Sequence, residues 1–286
     1  MAQPTDAVAR QPRRRSLNSK LIVGGSIVAV LVFVAIAAPW IAPYRYDEMS
    51  LLNRLKPPNL QFWFGTDEFG RDVFSRTLMG GQLSLIMGFS ATVLSMLIGI
   101  PLGLIAGYRR GVVEEIIMRA TDVLMSFPPI MLGLLILAVT PPSLWKLIIA
   151  IGIVYVPITV RLTRSLTLDL ANEEFVQAAR ARGEKTWYIL HAEILPNAWP
   201  PIMVEGSLRI TFAMLLGAAL SFIGLGAQPP SSDWGLMISE ARPLIDRAPW
   251  VALAPGIAMG ITVVAVNLLG DGLREWLDPR MQRRGT

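Results

Sequence analysis

The 286-residue chain contains no cysteine and a single histidine, His191. Disulfides, thiol chemistry and cysteine-held metals are thereby excluded, and one imidazole cannot build a histidine-rich metal site. Charge is scarce as well: Asp, Glu, Lys and Arg make up 16% of the residues, against roughly 25% in an ordinary soluble domain. A phosphate-cradling loop is also missing. Such a loop needs G-x-x-x-x-G-K-[ST], and the nearest fragment, Gly183-Glu184-Lys185-Thr186, has a glutamate inserted and Ala178 near the place of the first glycine. Any energy drawn from ATP must come through another chain.

Apolar residues, in contrast, reach 53%, with a mean hydropathy of +0.50, and they are gathered into runs. A helix crossing a bilayer core needs about 20 mostly apolar residues. Six stretches free of Asp, Glu, Lys and Arg answer to this: Leu21 to Tyr44, Thr77 to Tyr108, Val123 to Trp145, Leu147 to Val160, Ile210 to Ser232 and Ala248 to Gly270. The fourth has only 14 residues, but Lys146 and Arg161 at its ends can snorkel to the headgroups. The expected spans are about 21–43, 83–107, 120–140, 144–162, 206–226 and 250–270, in a single membrane domain, 21–286, behind a 20-residue tail, 1–20.

With both termini in the cytoplasm, 18 of the 26 Lys and Arg fall on the inner side and 8 outside, as the positive-inside rule requires. The run Arg13, Arg14, Arg15 before the first span supports the same start. The net charge of +5 is therefore topological, and a nucleic-acid partner, which needs a basic face on a soluble domain, is not expected. A competing reading makes Ala35-Ile36-Ala37 a signal-peptide cleavage site. The apolar stretch from Leu21, however, exceeds the ~7–15 residues of a signal core.

Between the spans, residues 45–76 should form an external cap of short helices, and Trp234, Leu236, Met237 and Ile238 should lie along the outer surface. Within the spans, Gly99, Gly103 and Gly107 make a small-residue face that suits packing inside the chain or on a partner. Gly256 and Gly260 repeat the pattern, and Pro101 should kink the second span. Arg119 with Asp122, and Glu205 with Arg209, have the spacing of helical ion pairs. Met131, Met203, Met214 and Met259 read as packing residues.

The long inner loop, 161–209, is the most specific segment. Asn172 before Glu173 and Glu174 reads as an N-cap with acids in the first turn. A helix through Phe175, Val176, Ala178 and Ala179 should stop at Gly183, and a second, from about Thr186, should end at Pro196. By itself this helix-corner-helix fits a docking surface or a solvated hairpin.

Here the chain resembles a known family. Gln177-Ala178-Ala179, then Gly183, then Leu195-Pro196 is similar to the cytoplasmic "EAA" signature of ABC importer permeases, which forms the coupling helix that seats on the ATPase. Gln177 replaces the signature glutamate, and Glu193 stands where isoleucine is usual. Phe64-Gly65-Thr66-Asp67 with Gly70-Arg71-Asp72, Ser221-Phe222-Ile223-Gly224-Leu225-Gly226 with Gln228-Pro229-Pro230, and Asn267-Leu268-Leu269-Gly270-Asp271 with Leu277-Asp278-Pro279 resemble the C-type permease of dipeptide, oligopeptide and nickel transporters.

That resemblance implies an all-α, six-span permease in the bacterial inner membrane, with short external helices and a coupling loop, 161–205. The coupling residues are then Glu174, Gln177, Ala178, Ala179, Gly183, Leu195 and Pro196. It also implies a second permease in a heterodimer, two ATPase subunits carrying ATP and Mg, and an external binding protein, with neither catalytic residues nor a cofactor in this chain. Peptides are the implied cargo, with glutathione, nickel chelates or oligosaccharides as alternatives. The rivals are an ion-gradient carrier or channel, which would want charges within its spans, and a membrane enzyme, for which no reactive group converges at one depth.

Overall fold

The computed structural model describes residues 18–139 and 141–277. The basic run at 13–15, Thr140 and Asp278-Pro279 lie outside the described residues. The described residues are nearly all helical, and the described helices comprise five long enough and apolar enough to span a membrane, plus one bent pair that can count as a sixth span.

Helix α1, Ser19–Ile41, starts where the Asn18 side chain accepts from the Lys20 amide at 3.3 Å. Helix α2, Val73–Arg109, starts at Asp72, whose carboxylate accepts from the Ser75 amide at 2.8 Å. It runs 37 residues through Pro101 without a break. At about 1.5 Å per residue α2 outreaches a ~30 Å bilayer core, so its first turns stand in the cap.

The third stretch is not one rod. Helices α3, Gly111–Met125, and α4, Pro129–Leu137, meet at 90°. Pro128 is extended at φ −54°, ψ 138°. The cause is local: a residue that precedes proline is pushed out of the α region, and here Pro128 precedes Pro129.

The fourth stretch belongs to a longer helix, α5, Leu144–Leu170. Lys146 therefore stays in the first turn, its amide donating to Ser143 Oγ at 3.4 Å, whereas Arg161 lies inside the helix rather than at its end. After α6, Glu174–Ala181, comes α7, Thr186–Tyr188, then a π-helical segment, Ile189–Ile194, and α8, Leu195–Phe222. Pro196 thus does not end a helix. It sits in the first turn of α8, directly after the π segment, where the wider backbone ladder accommodates a missing N–H. Helices α9, Trp234–Ala241, and α10, Trp250–Leu277, complete the chain.

Small residues set the packing. A Cβ built on Gly99, Gly103 or Gly107 would lie 2.6 Å from the Cβ of Thr159, Thr163 or Thr167 respectively. Both series rise together, so α2 and α5 run parallel and the glycine stripe is used within the chain. Gly24 meets Leu269 and Gly272 meets Leu21, which makes α1 and α10 antiparallel. Gly88 meets Met214 and Gly217 meets Met87, so α8 opposes α2; Gly270 on Ser207, with Thr211 donating to Asn267 at 3.1 Å, makes α10 oppose α8. These directions bring the start of α1 and the end of α10 to one end of the bundle, joined by Lys20–Glu275 at 2.5 Å. The 171–194 loop is at the same end.

Residues 42–72 and 223–249 occupy the opposite end. The expected cap of short helices is instead irregular, with one 3₁₀ turn, Leu51–Asn53. Its order comes from ions. Arg71 and Arg76 are fully buried; Arg71 bonds Asp67 at 2.5 Å and Glu240 at 3.2 Å, and Arg76 bonds Glu240 at 2.9 Å and the Ser231 carbonyl at 3.1 Å. Nor does α9 lie along the surface: Trp234, Gly235, Leu236 and Met237 are buried. Trp234 Nε1 donates to the Thr77 carbonyl at 2.9 Å, and Gly80 leaves the room for this approach.

Candidate functional site

The loop between α5 and α8 carries the residues singled out in the sequence. The N-cap of α6 is Glu173, at φ −70°, ψ 150°, rather than Asn172. The Asn172 amide is instead turned back onto the Leu168 carbonyl at 3.1 Å, which removes it as a cap. Gln177 Nε2 donates to the Asn172 carbonyl at 2.9 Å, so this side chain secures the α5–α6 corner.

Helix α6 has two faces at the spacing expected of an amphipathic helix. Val176 and Ala179 are fully buried, in a cluster with Leu104, Ile189, Leu190 and Ile194. Glu174, Gln177, Ala178 and Ala181 are exposed on the other side. The expected set therefore divides: Ala179 points into the chain and anchors the helix, whereas Glu174, Gln177 and Ala178 look outward. Leu195 is half-buried against the same cluster, and Pro196 is exposed.

Gly183 ends the helix at φ +79°, with its amide donating to the Arg180 carbonyl at 2.9 Å and the Glu184 amide to the Ala179 carbonyl at 3.2 Å. This pair of bonds is the Schellman arrangement, which favours glycine at this position. No atom lies within 4 Å of a Cβ built there, so the corner is open. Arg182 reaches Glu193 at 3.3 Å, which accounts for a glutamate at that position. Arg180 lies 4.7 Å over the Tyr108 ring and donates to its hydroxyl at 3.1 Å, tying α6 to the end of α2. Spacing could not have found this pair, because its partners are 72 residues apart. His191 is exposed and stands edge-on to Trp187, with ring centroids 3.9 Å apart.

Arg119 and Asp122 do not pair with each other. Arg119 reaches Glu115 at 3.6 Å, and Asp122 accepts from Arg161 of α5 at 2.6 Å. Residues three apart on α3 are neighbours, but α5 crosses on the Asp122 side and supplies a better donor. Arg164 bonds Glu114 through Nε at 2.6 Å, a second tie between α3 and α5. Glu205 and Arg209 do pair, and the guanidinium also sits 5.1 Å from the Tyr155 ring. Met214 is buried beside Gly88, whereas Met131 is exposed. Among the described residues no group of three His, Asp or Glu could hold a metal ion.

This architecture is that of an importer permease. The fold resembles the MetNI methionine ABC transporter in inward-facing form, at a TM-score of 0.58 and 18% identity, covering 68% of this chain and 93% of that one. Residues 99–283 match the family described as binding-protein-dependent transport system inner membrane component, and residues 14–58 match the N-terminal membrane domain of oligopeptide transport permease C. The dipeptide transport system permease DppC of Alkalihalophilus pseudofirmus is 44% identical over 93% of this chain and 87% of its own length. The glutathione transport system permease GsiD of Pectobacterium atrosepticum is 41% identical over 94% and 90%, and the oligopeptide transport system permease OppC of Bacillus subtilis 38% over 93% and 87%. The chain belongs to the binding-protein-dependent transport permease family and is a multi-pass membrane protein of a bacterial transport system.

Proposed function

We propose that this chain is one of two unlike permease subunits of an ATP-driven importer of small peptides in the bacterial inner membrane. Its relatives' names support peptides as the cargo, and the rival gradient-driven carrier draws no support from them. ATP and Mg are bound by two partner ATPases on the cytoplasmic side, and an external binding protein delivers the substrate to the cap end. Both termini and the loop between α5 and α8 face the cytoplasm, in keeping with the cation distribution.

The observation that carries this reading is the two-sided α6, with Val176 and Ala179 buried in the bundle and Glu174, Gln177 and Ala178 exposed. A helix fixed on one side and free on the other can pass movement of a docked partner to α2 and α8. Gly183 provides a corner without a side chain, and Leu195 with Pro196 joins that corner to the long helix.

The test is reconstitution. Vesicles holding both permeases, the ATPases and external binding protein should take up labelled dialanine only with ATP inside, and the purified chain alone should hydrolyse none. ATP-independent uptake by this chain alone would overturn the reading.

A further inference from the structure

The ion pair between Asp122 and Arg161 is unusual in its setting. The two side chains are 51% and 46% exposed, and they sit on the flank of a membrane bundle rather than at its end. Depth follows from the α2–α5 register. Thr159 and Thr163 lie against Gly99 and Gly103, so Arg161 is level with Pro101. That is eight residues from the end of α2 at Arg109 and 21 residues, about 32 Å at the α-helical rise, from Gly80 against the cap, which puts the pair at the inner mouth of a ~30 Å hydrocarbon core.

One turn beyond Asp122 the helix breaks, and residues 126–128 are all exposed. Beyond the break, Gly133 packs on Leu220 near the cap end of α8, so the break lies between that end and the inner mouth, at membrane depth. Irregular backbone at such depth occurs only where protein covers it or where it lines a water-filled cavity. This face therefore looks toward water or protein.

We propose that Asp122, the break at Ser126–Pro128 and Arg161 line the aqueous pathway and hold a zwitterionic peptide by its two ends. The peptide carboxylate bonds the Arg161 guanidinium, and its ammonium bonds the Asp122 carboxylate. Charge stays balanced at each stage, because one internal ion pair is exchanged for two with the substrate. Closure of the internal pair then displaces the peptide, which suits passage rather than tight binding. The proposal rests on the peptide-importer reading above.

The experiment uses the assembled transporter in lipid nanodiscs, with Ser126→Cys in this cysteine-free chain and labelling read on this chain by mass. A charged, membrane-impermeant methanethiosulfonate should label position 126. Dialanine should slow that labelling, about threefold at twice its Kd, whereas N-acetylalaninamide, which lacks both charges, should not. In the Arg161→Gln and Asp122→Asn backgrounds labelling should persist and protection by dialanine should vanish.

Labelling only by lipophilic N-ethylmaleimide would show a lipid-facing surface, and labelling by neither reagent a surface covered by the second permease. Labelling without protection would show water without a peptide site. Each of these overturns the proposal, as does protection that survives Arg161→Gln. Failure of ATP-driven dialanine uptake by the same complex in sealed vesicles, with labelling and protection intact in nanodiscs, would instead sink the importer reading.

Discussion

Gly103→Ala adds one methyl group to the α2–α5 contact, at a place where the structure leaves no room for it. The new Cβ would lie 2.6 Å from Thr163 Cβ, 2.7 Å from the Val160 carbonyl oxygen and 3.0 Å from the Arg164 amide nitrogen. Two of those three atoms are backbone, so side-chain rotation cannot relieve the contact and the helices must part. Since ordinary contact begins near 3.4 Å, the parting approaches 1 Å and loosens the levels at Gly99 and Gly107 as well. Overpacking of this kind costs about 1–3 kcal/mol, set against a helix-propensity gain of about 1 kcal/mol for replacing glycine.

Gly256→Ala and Gly260→Ala provide the control, because no atom lies within 4 Å of a Cβ at either site. The same exchange there should be neutral or stabilising in the isolated chain. Thermal unfolding of the purified chain in detergent, followed by near-UV circular dichroism, should rank Gly103→Ala lowest. Thr163→Gly in the same molecule should recover part of the loss by vacating the space. Equal midpoints for Gly103→Ala and Gly256→Ala would refute the packing argument.

Burial pushes the Glu240 carboxyl up from the ordinary glutamate range, although Arg76 and Arg71 pull it down. The folded cap then takes up a proton at a higher pH than the unfolded chain, so this group's contribution to stability rises as the pH falls through the window above the ordinary range. Glu240→Gln should flatten that part of a melting profile between pH 5 and 8, and an unchanged slope would contradict the assignment. Topology can be checked by placing single cysteines at 185 and at 60. An impermeant reagent added to intact cells should reach 60 and not 185, and the reverse would overturn the orientation.

Much of the bundle was legible because spans are written in long apolar runs and close helix contacts in glycine spacing. The stripe Gly99, Gly103, Gly107 was plain in the sequence; its partner Thr159, Thr163, Thr167 was not, since no local rule links residues 60 apart. The loop was readable for a different reason. Its corner depends on local backbone chemistry, and Gly183 does adopt positive φ.

The failures share a cause in tertiary competition. Asn172 is a good cap by type but finds the Leu168 carbonyl first. Asp122 is drawn to Arg161 across helices rather than to Arg119 along its own. Trp234 was expected along the outer surface, yet the Thr77 carbonyl and the space above Gly80 draw it inside. Arg161 was read as closing a short span, whereas Asp122 of α3 allows α5 to carry it within a 27-residue helix.

The central claim is that the 173–196 loop transmits the work of partner ATPases, and Gly183 tests it most directly. A side chain at φ +79° meets a left-handed penalty of roughly 1 kcal/mol, and it would project from an open corner into whatever docks there. In vesicles holding the whole transporter, ATP hydrolysis and dialanine uptake should be measured together for the wild type and Gly183→Leu. The expected result is normal membrane insertion with uptake per ATP reduced at least about tenfold, or with the ATPases released. Wild-type uptake per ATP in Gly183→Leu, with the ATPases still bound, would contradict the account.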